Sequence, residues 1–426
     1  MKSNLLTHLR ILFAVSVLLM SGSSAFAQGS PYSFLGFGDP VGSTHAHLLG
    51  LSQTGVALTD GSLINELNPA GFAYIPATMV DLRLRYAYDK ATIGSDQGVS
   101  SMVKLGGLSA GTSVWSAASM GAAIGFTPIT DAEAQTERLD SLGNTIYKRA
   151  GGLSQFYMGL AARPFGALSL GARLDIIFGN VRTQTQANIS GNDVQAGIFQ
   201  REYAESGLRG TFGFMLALDS LFPQLRGLTI GVSYSTASTL TATQRTIVTP
   251  ISTTLDSTIE VGGYGYYPSS IRLGLAGRFG DRYRVEANLS GQDFSNARVF
   301  SLTKDLIGDP TLGSSNRYSF AFERMALGAQ DARGAAFWEK VGLRLGASYA
   351  QLPFKPAAGV TVNEVGGSFG LGIPFGGGSS IDLAAELGIR TPSNANIEPK
   401  DTYFKFSATM MLGEKWFVSL RRDDDQ

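Results

Sequence analysis

From Thr78 almost to the C-terminus the chain repeats one pattern, an apolar residue at every second position with a polar, charged or small residue between. Val80, Leu82, Leu84, Tyr86 and Tyr88 alternate with Asp81, Arg83, Arg85, Ala87 and Asp89. Leu168, Leu170, Ala172, Leu174, Ile176 and Phe178 alternate with Ser169, Gly171, Arg173, Asp175 and Gly179, and Ile177 is the one exception. The pattern returns at 271–279, 283–290 and 381–390. Successive side chains of a strand point to opposite faces, so these are strands with one apolar and one charged face. In a soluble sandwich the charged face would be the outside. In a membrane barrel the apolar face meets lipid and the charged face lines the lumen. Strand-like runs of roughly 10 to 22 residues exceed the usual five or six of globular sheets. Short and long connections also alternate, as periplasmic turns and outer loops do. The fold expected is therefore all-β, a transmembrane antiparallel barrel.

The pattern predicts strands over 78–90, 99–112, 118–138, 145–164, 166–188, 198–219, 227–249, 257–279, 282–297, 316–330, 338–353, 361–375, 379–391 and 400–412. That is about fourteen strands, an even number, with both termini periplasmic. Gly280-Asp281 and the glycines at 376–378 mark tight turns, and 298–315 is the longest outer connection. Short helix character is expected within 48–59, and Gly262–Tyr267 reads as a tyrosine-rich interfacial segment. The longest strands should project beyond the bilayer, which needs only about 9–11 tilted residues.

The N-terminus reads as a secretory signal over 1–27. Lys2 and Arg10 precede the apolar run Ile11–Met20, and Ala25-Phe26-Ala27 supplies the cleavage site. The chain has no Cys, so neither an acylated Cys nor a disulfide framework is available. With 34 Lys+Arg against 34 Asp+Glu there is no field to attract nucleic acid. No later run approaches 18 uninterrupted apolar residues, which excludes a helical membrane protein. Enzyme signatures are missing, and His45-Ala46-His47 has no neighbouring Cys or acidic cluster to complete a metal site. No catalysis, cofactor or metal is expected.

Between signal and first strand lies Gly55–Ala73, a compact, turn-rich stretch. Asp60-Gly61 and Asn68-Pro69-Ala70-Gly71 are turn signals, and Leu63, Ile64 and Leu67 give it apolar surface to bury. Gly55-Val56-Ala57, Asp60 and Asn68-Pro69-Ala70, placed just before barrel strands, resemble the N-terminal hatch of the outer-membrane long-chain fatty-acid and toluene transporter family. Leu63-Ile64-Asn65-Glu66-Leu67 departs from that family, which often has small residues there. The opening Ser30-Pro31-Tyr32-Ser33 and Gly36-Phe37-Gly38-Asp39 resembles outer-membrane proteins of the Bacteroidetes and neighbouring phyla. The resemblance implies a fourteen-strand barrel in the bacterial outer membrane. It also implies a hatch or plug over 28–77, a barrel over 78–412 and a periplasmic tail over 413–426. Hydrophobic cargo would pass the hatch passively and leave sideways through the wall.

On that reading the tentative cargo-binding residues are Leu63, Leu67, Asn68, Pro69, Ala70 and Phe72, beside the Leu48-Leu49-Leu51 cluster; hatch packing is the alternative role. The lumenal charges are Arg83, Arg85, Arg173, Asp175, Arg272, Arg284, Glu286, Arg344, Asp382, Glu386 and Arg390. Ion pairing across a narrow lumen is one role for them. Contact with a substrate carboxylate is the other, for which the Arg fork is suited. The expected partners are the lipid bilayer and a hydrophobic small molecule, and the expected state is a monomer. A different role, as a non-transporting barrel of an outer-membrane protein secretion or gliding machinery, would require a protein partner.

Overall fold

The computed structural model describes residues 29–414, apart from 94–95, 116–118, 141–142, 190–196, 219–226, 251–256, 305–307, 328–333, 377 and 395. The signal segment 1–27, and Trp416 and Phe417 of the expected tail, lie outside the described residues. Fourteen antiparallel strands close into a barrel. They are β1 Thr78–Ile93, β2 Asp96–Trp115, β3 Met120–Pro128 continued as Ala134–Asp140, β4 Gly143–Phe165 and β5 Leu168–Ile189. Next come β6 Gly197–Ala217, β7 Leu228–Ser235 continued as Ser238–Pro250, β8 Ser257–Tyr267 continued as Ser270–Phe279, and β9 Tyr283–Asp293 continued as Arg298–Ser301. β10 Ser314–Arg324, β11 Gly342–Ala357, β12 Val360–Gly376, β13 Ser379–Pro392 and β14 Lys400–Glu414 complete the wall. Pairing of β1 with β14, from Thr78↔Glu414 to Thr92↔Lys400, closes the sheet on itself.

The alternation does what the pattern requires. Leu170, Leu273 and Leu387 face outward, while Ser169, Arg173, Asp175 and Asp382 are buried inside. Ile177, the break in the pattern, points into the lumen, where it joins a cluster with Tyr32, Phe37 and Leu153. An apolar side chain on the charged face thus marks where the wall meets apolar interior rather than water.

Several boundaries differ from the sequence reading. β10 stops at Arg324, short of 330, and β11 starts at Gly342 rather than 338. A short helix, Phe337–Lys340, occupies part of the turn because Arg282 and Arg324 donate to the Glu339 and Trp338 carbonyls. Four strands are interrupted where continuous ones were expected. Pro128 and Pro268 stand at two of the breaks and lack the N–H a ladder needs. The helix expected within 48–59 is one turn, α1, at Ala46–Gly50. Tyr267 does not sit at the bilayer interface; it is buried edge-on against Phe37 and Phe294.

Candidate functional site

Residues 30–75 pack into the lumen of the barrel, and the turn at Asn68-Pro69-Ala70 shows why those three residues are used. Asn68 caps the 3-10 helix Pro69–Tyr74 by accepting from the Ala70 N–H at 3.1 Å. Its amide donates to the Val56 carbonyl at 2.7 Å and to Phe214 of β6 at 3.1 Å. Pro69 fills the first helical position, where a backbone N–H would have no partner. Ala70 accepts from Ser169 of β5 at 2.7 Å. Its neighbours leave little room, because a Cβ on Gly171 would lie 2.5 Å from the Ala70 nitrogen and one on Gly213 2.6 Å.

Those two glycines belong to a wider set. Gly121 faces Phe72, Gly231 and Gly274 face Val56, Gly346 faces Leu51, and Gly370 faces Gly50; in each case a Cβ would collide. At these points the wall presents bare backbone to the segment. This signal was present in the sequence as glycines on lumenal strand positions, and only the fold reveals what they contact.

Apolar residues of the segment are spent on packing. Leu63 clusters with Leu48, Val56, Leu58 and Leu67. Phe72 stacks on Tyr157 with ring centroids 6.5 Å apart, inside a cluster with Ile64 and Ile75. Of the proposed cargo contacts, Leu67 alone lines the main cavity of about 190 Å³; Leu49 lines a second of about 80 Å³.

The lumenal charges form linked groups that include carboxylates of the segment. Arg83 pairs with Asp81 at 2.6 Å and with Glu66 at 2.5 Å. Arg173 and Arg209 share Asp175 at 2.6 and 3.1 Å. Arg284 joins Asp60 at 2.5 Å, Glu286 at 2.8 Å and also Glu323, which accepts from Arg344 at 2.8 Å. Arg344 continues to Asp382 at 2.5 Å. Arg390 holds Asp39 and Glu364 at 2.8 Å each and Asp401 at 3.3 Å. Glu386 instead accepts from the Tyr403 hydroxyl at 2.8 Å, and Arg85 turns to Asp131 at 2.5 Å. The acidic partners Asp39, Asp60 and Glu66 were missed in the sequence because nothing local distinguishes an acid in a loop from a solvated one.

Burial pushes the Asp60 carboxyl up, but the Arg284 guanidinium overrides it and holds the pKa at about 2. Burial drives His45 well below the ordinary imidazole range, helped by Arg83. That neutral ring accepts from the His47 N–H at 3.2 Å, and His47 lies 3.3 Å from Glu323. The pair is packed against the wall, and among the described residues no group of acids, His or Cys is arranged to hold a metal.

The wall itself is interrupted beside this interior. β2 pairs with β1 from Asp96 to Gly111, but on its other side it pairs with β3 only from Leu108↔Phe126 to Trp115↔Met120. The outer half of β3, Ala134–Asp140, pairs with β4 alone. Between the halves the chain turns inward, and Thr130-Asp131 pairs with Asp39-Pro40 of the segment. Gly151 and Gly152 on β4, at φ 101° and 137°, allow this close approach. On that side, among the described residues, the β2 edge from Gln97 to Gly107 thus has no paired strand. Lys104 reaches across to Asp131 at 3.0 Å and Glu133 at 2.7 Å, so the inner floor of the gap is charged.

A family model, that of BamG, matches residues 9–423. The chain belongs to the BamG family. No curated protein matches the chain in sequence. Solved structures similar to it include a Pseudomonas aeruginosa FadL homologue, with TM-score 0.61 and 12% identity over 88% of this chain and 99% of that one. The Ralstonia pickettii toluene transporter TbuX gives 0.57 and 13% over 88% and 99%. The Pseudomonas putida toluene transporter TodX gives 0.56 and 15% over 89% and 98%. At these identities the likeness is one of fold. Fold and family together place the barrel in the bacterial outer membrane.

Proposed function

We propose that the chain is an outer-membrane channel through which hydrophobic small molecules pass without catalysis or energy input. Residues 28–77 act as its hatch. The observation that carries this reading is the gap beside Gln97–Gly107. Backbone groups without partners are costly in hydrocarbon, so a barrel that leaves a strand edge open at one place has a reason to do so. A lateral exit for cargo leaving the lumen supplies that reason. The cavity of about 80 Å³ supports it, since Tyr86, Met102 and Phe406 line it together with Leu49 of the hatch. Fold similarity to toluene transporters points the same way. The test is uptake of a long-chain fatty acid and of toluene, with a hydrophilic sugar as control, in a host lacking its own hydrophobic-compound transporter. Uptake of a hydrophobic probe above the empty-vector level supports the channel.

One observation favours a second reading. The segment is fixed to the wall by ion pairs through Asp39, Asp60 and Glu66, and most of its apolar residues are fully buried. A lumen closed in this way suits a non-transporting barrel in an outer-membrane protein secretion or gliding machinery. If neither hydrophobic probe moves and the barrel co-purifies with a large protein partner, the second reading replaces the first.

A further inference from the structure

Five arginines reach the main cavity, Arg173, Arg209, Arg272, Arg317 and Arg390. Four of them are engaged. Arg390 and Arg317 hold Glu364, and Arg173 and Arg209 share Asp175. Arg272 is different. Among the described residues it has neither an ion pair nor a hydrogen bond, although Ile271 and Leu273 on either side face lipid and its own side chain faces the lumen. Arg209 and Arg173 line the same cavity and already divide one carboxylate between them. Three guanidinium groups therefore gather around Asp175, and Glu66, the other carboxylate beside Arg173, is held by Arg83, so Arg272 is left without a carboxylate of its own.

Arg272 is half-buried and open to the cavity, and a charge confined in this way without a counter-charge is costly for a fold to retain. A residue kept there needs an anion that the protein itself does not supply. The guanidinium sets the chemistry, because its planar fork matches the two oxygens of a carboxylate or phosphate. Neighbouring donors are at hand. Arg209 uses one N–H on Asp175 and one on Gln155, leaving a terminal nitrogen free. Ser233 and Ser290 flank Arg272 in the strand register, and the buried Ser233 hydroxyl has no partner in the protein.

We propose that Arg272, with Arg209 beside it, forms a binding site in the lumen for an oxyanion, the carboxylate or phosphate group of a small molecule that enters the barrel. The site does not depend on hydrophobic transport, because binding is read on the purified barrel.

The experiment uses the full chain in neutral maltoside detergent at low salt, titrated calorimetrically with inorganic phosphate, octanoate and, as a neutral control, octanol. Wild type should bind at least one of the two anions saturably. Arg272→Gln should weaken that binding about 10- to 100-fold, the effect of losing a charge-assisted pair. Equal affinity for phosphate and octanoate identifies the oxyanion alone as ligand. Tighter octanoate binding identifies a carboxylate carried by an apolar tail. Both results support the site. Binding of neither anion, or equal binding by R272Q, overturns it. Thermal stability gives an independent reading. Without added anion, R272Q should melt no lower than wild type, since it removes like-charge repulsion and no protein contact. A lower melting point for R272Q means that Arg272 serves the fold, and the proposal falls.

Discussion

Gly171→Ala isolates the seat of the hatch from the rest of the barrel. The added Cβ would lie 2.5 Å from the Ala70 nitrogen. Ordinary van der Waals separation then requires the turn to move by about 1 Å, and overpacking of this kind costs about 1–3 kcal/mol. The same shift strains the Asn68 cap and the Ser169–Ala70 hydrogen bond. The β5 ladders to β4 and β6 keep their register, so the cost should fall on the hatch rather than the wall. Protease Glu-C offers a direct assay, because Glu66 is the only Glu between residues 28 and 77 and is buried. Where opening is fast relative to cleavage, the rate follows the open population. A shift of about 1–3 kcal/mol then raises cleavage about 5- to 150-fold, with heat-modifiable gel migration unchanged. Gly166→Ala is the control, since nothing lies within 4 Å of its Cβ. A G171A rate within about twofold of wild type would refute the tight seat. Cleavage that merely tracks loss of the folded band would show that the wall, not the hatch, had yielded.

Other expectations use the same barrel. Leu174→Arg or Leu387→Arg puts a charge on the lipid face and should lower folding stability by about 2–4 kcal/mol near the bilayer midplane, read by urea unfolding in lipid vesicles. Arg at Ser169 or Ala384 is not a neutral comparison, because those positions lie under Ala70 and against Leu49. Glu323→Gln leaves Arg284 and Arg344 short of a shared carboxylate and should destabilise by about 3–5 kcal/mol in the same assay. Asp60 has its pKa lowered to about 2. Its pairing with Arg284 is thus fully present above the ordinary carboxylate pKa and is lost as pH falls from about 4 through about 2. Asp60→Asn should flatten the acid dependence of hatch protection in that window, measured by protection of the hatch amides from hydrogen exchange.

The sequence by itself determined the wall. Alternation with a period of two assigns each side chain to lipid or lumen without knowledge of its neighbours, and Gly and Pro mark the turns, so strand number and facing were legible from residues such as Leu170 and Arg173. It also marked 55–73 as compact, through Asn68-Pro69 and Leu63. Pairing was beyond it. Which acid neutralises Arg284 or Arg390 depends on strands and a loop that lie far apart in the chain and meet only when the barrel closes. Asp60 is 224 residues from Arg284, and Asp39 is 351 from Arg390. The gap in the wall was hidden for a related reason. Pro128 and Gly151-Gly152 read locally as ordinary irregularities, and it takes their opposition on adjacent strands, with Asp39-Pro40 pairing from within, to turn the chain inward. Arg272 makes the same point in reverse. Its sequence context matches that of the other lumenal arginines, and only the closed barrel shows that every carboxylate near it is already shared.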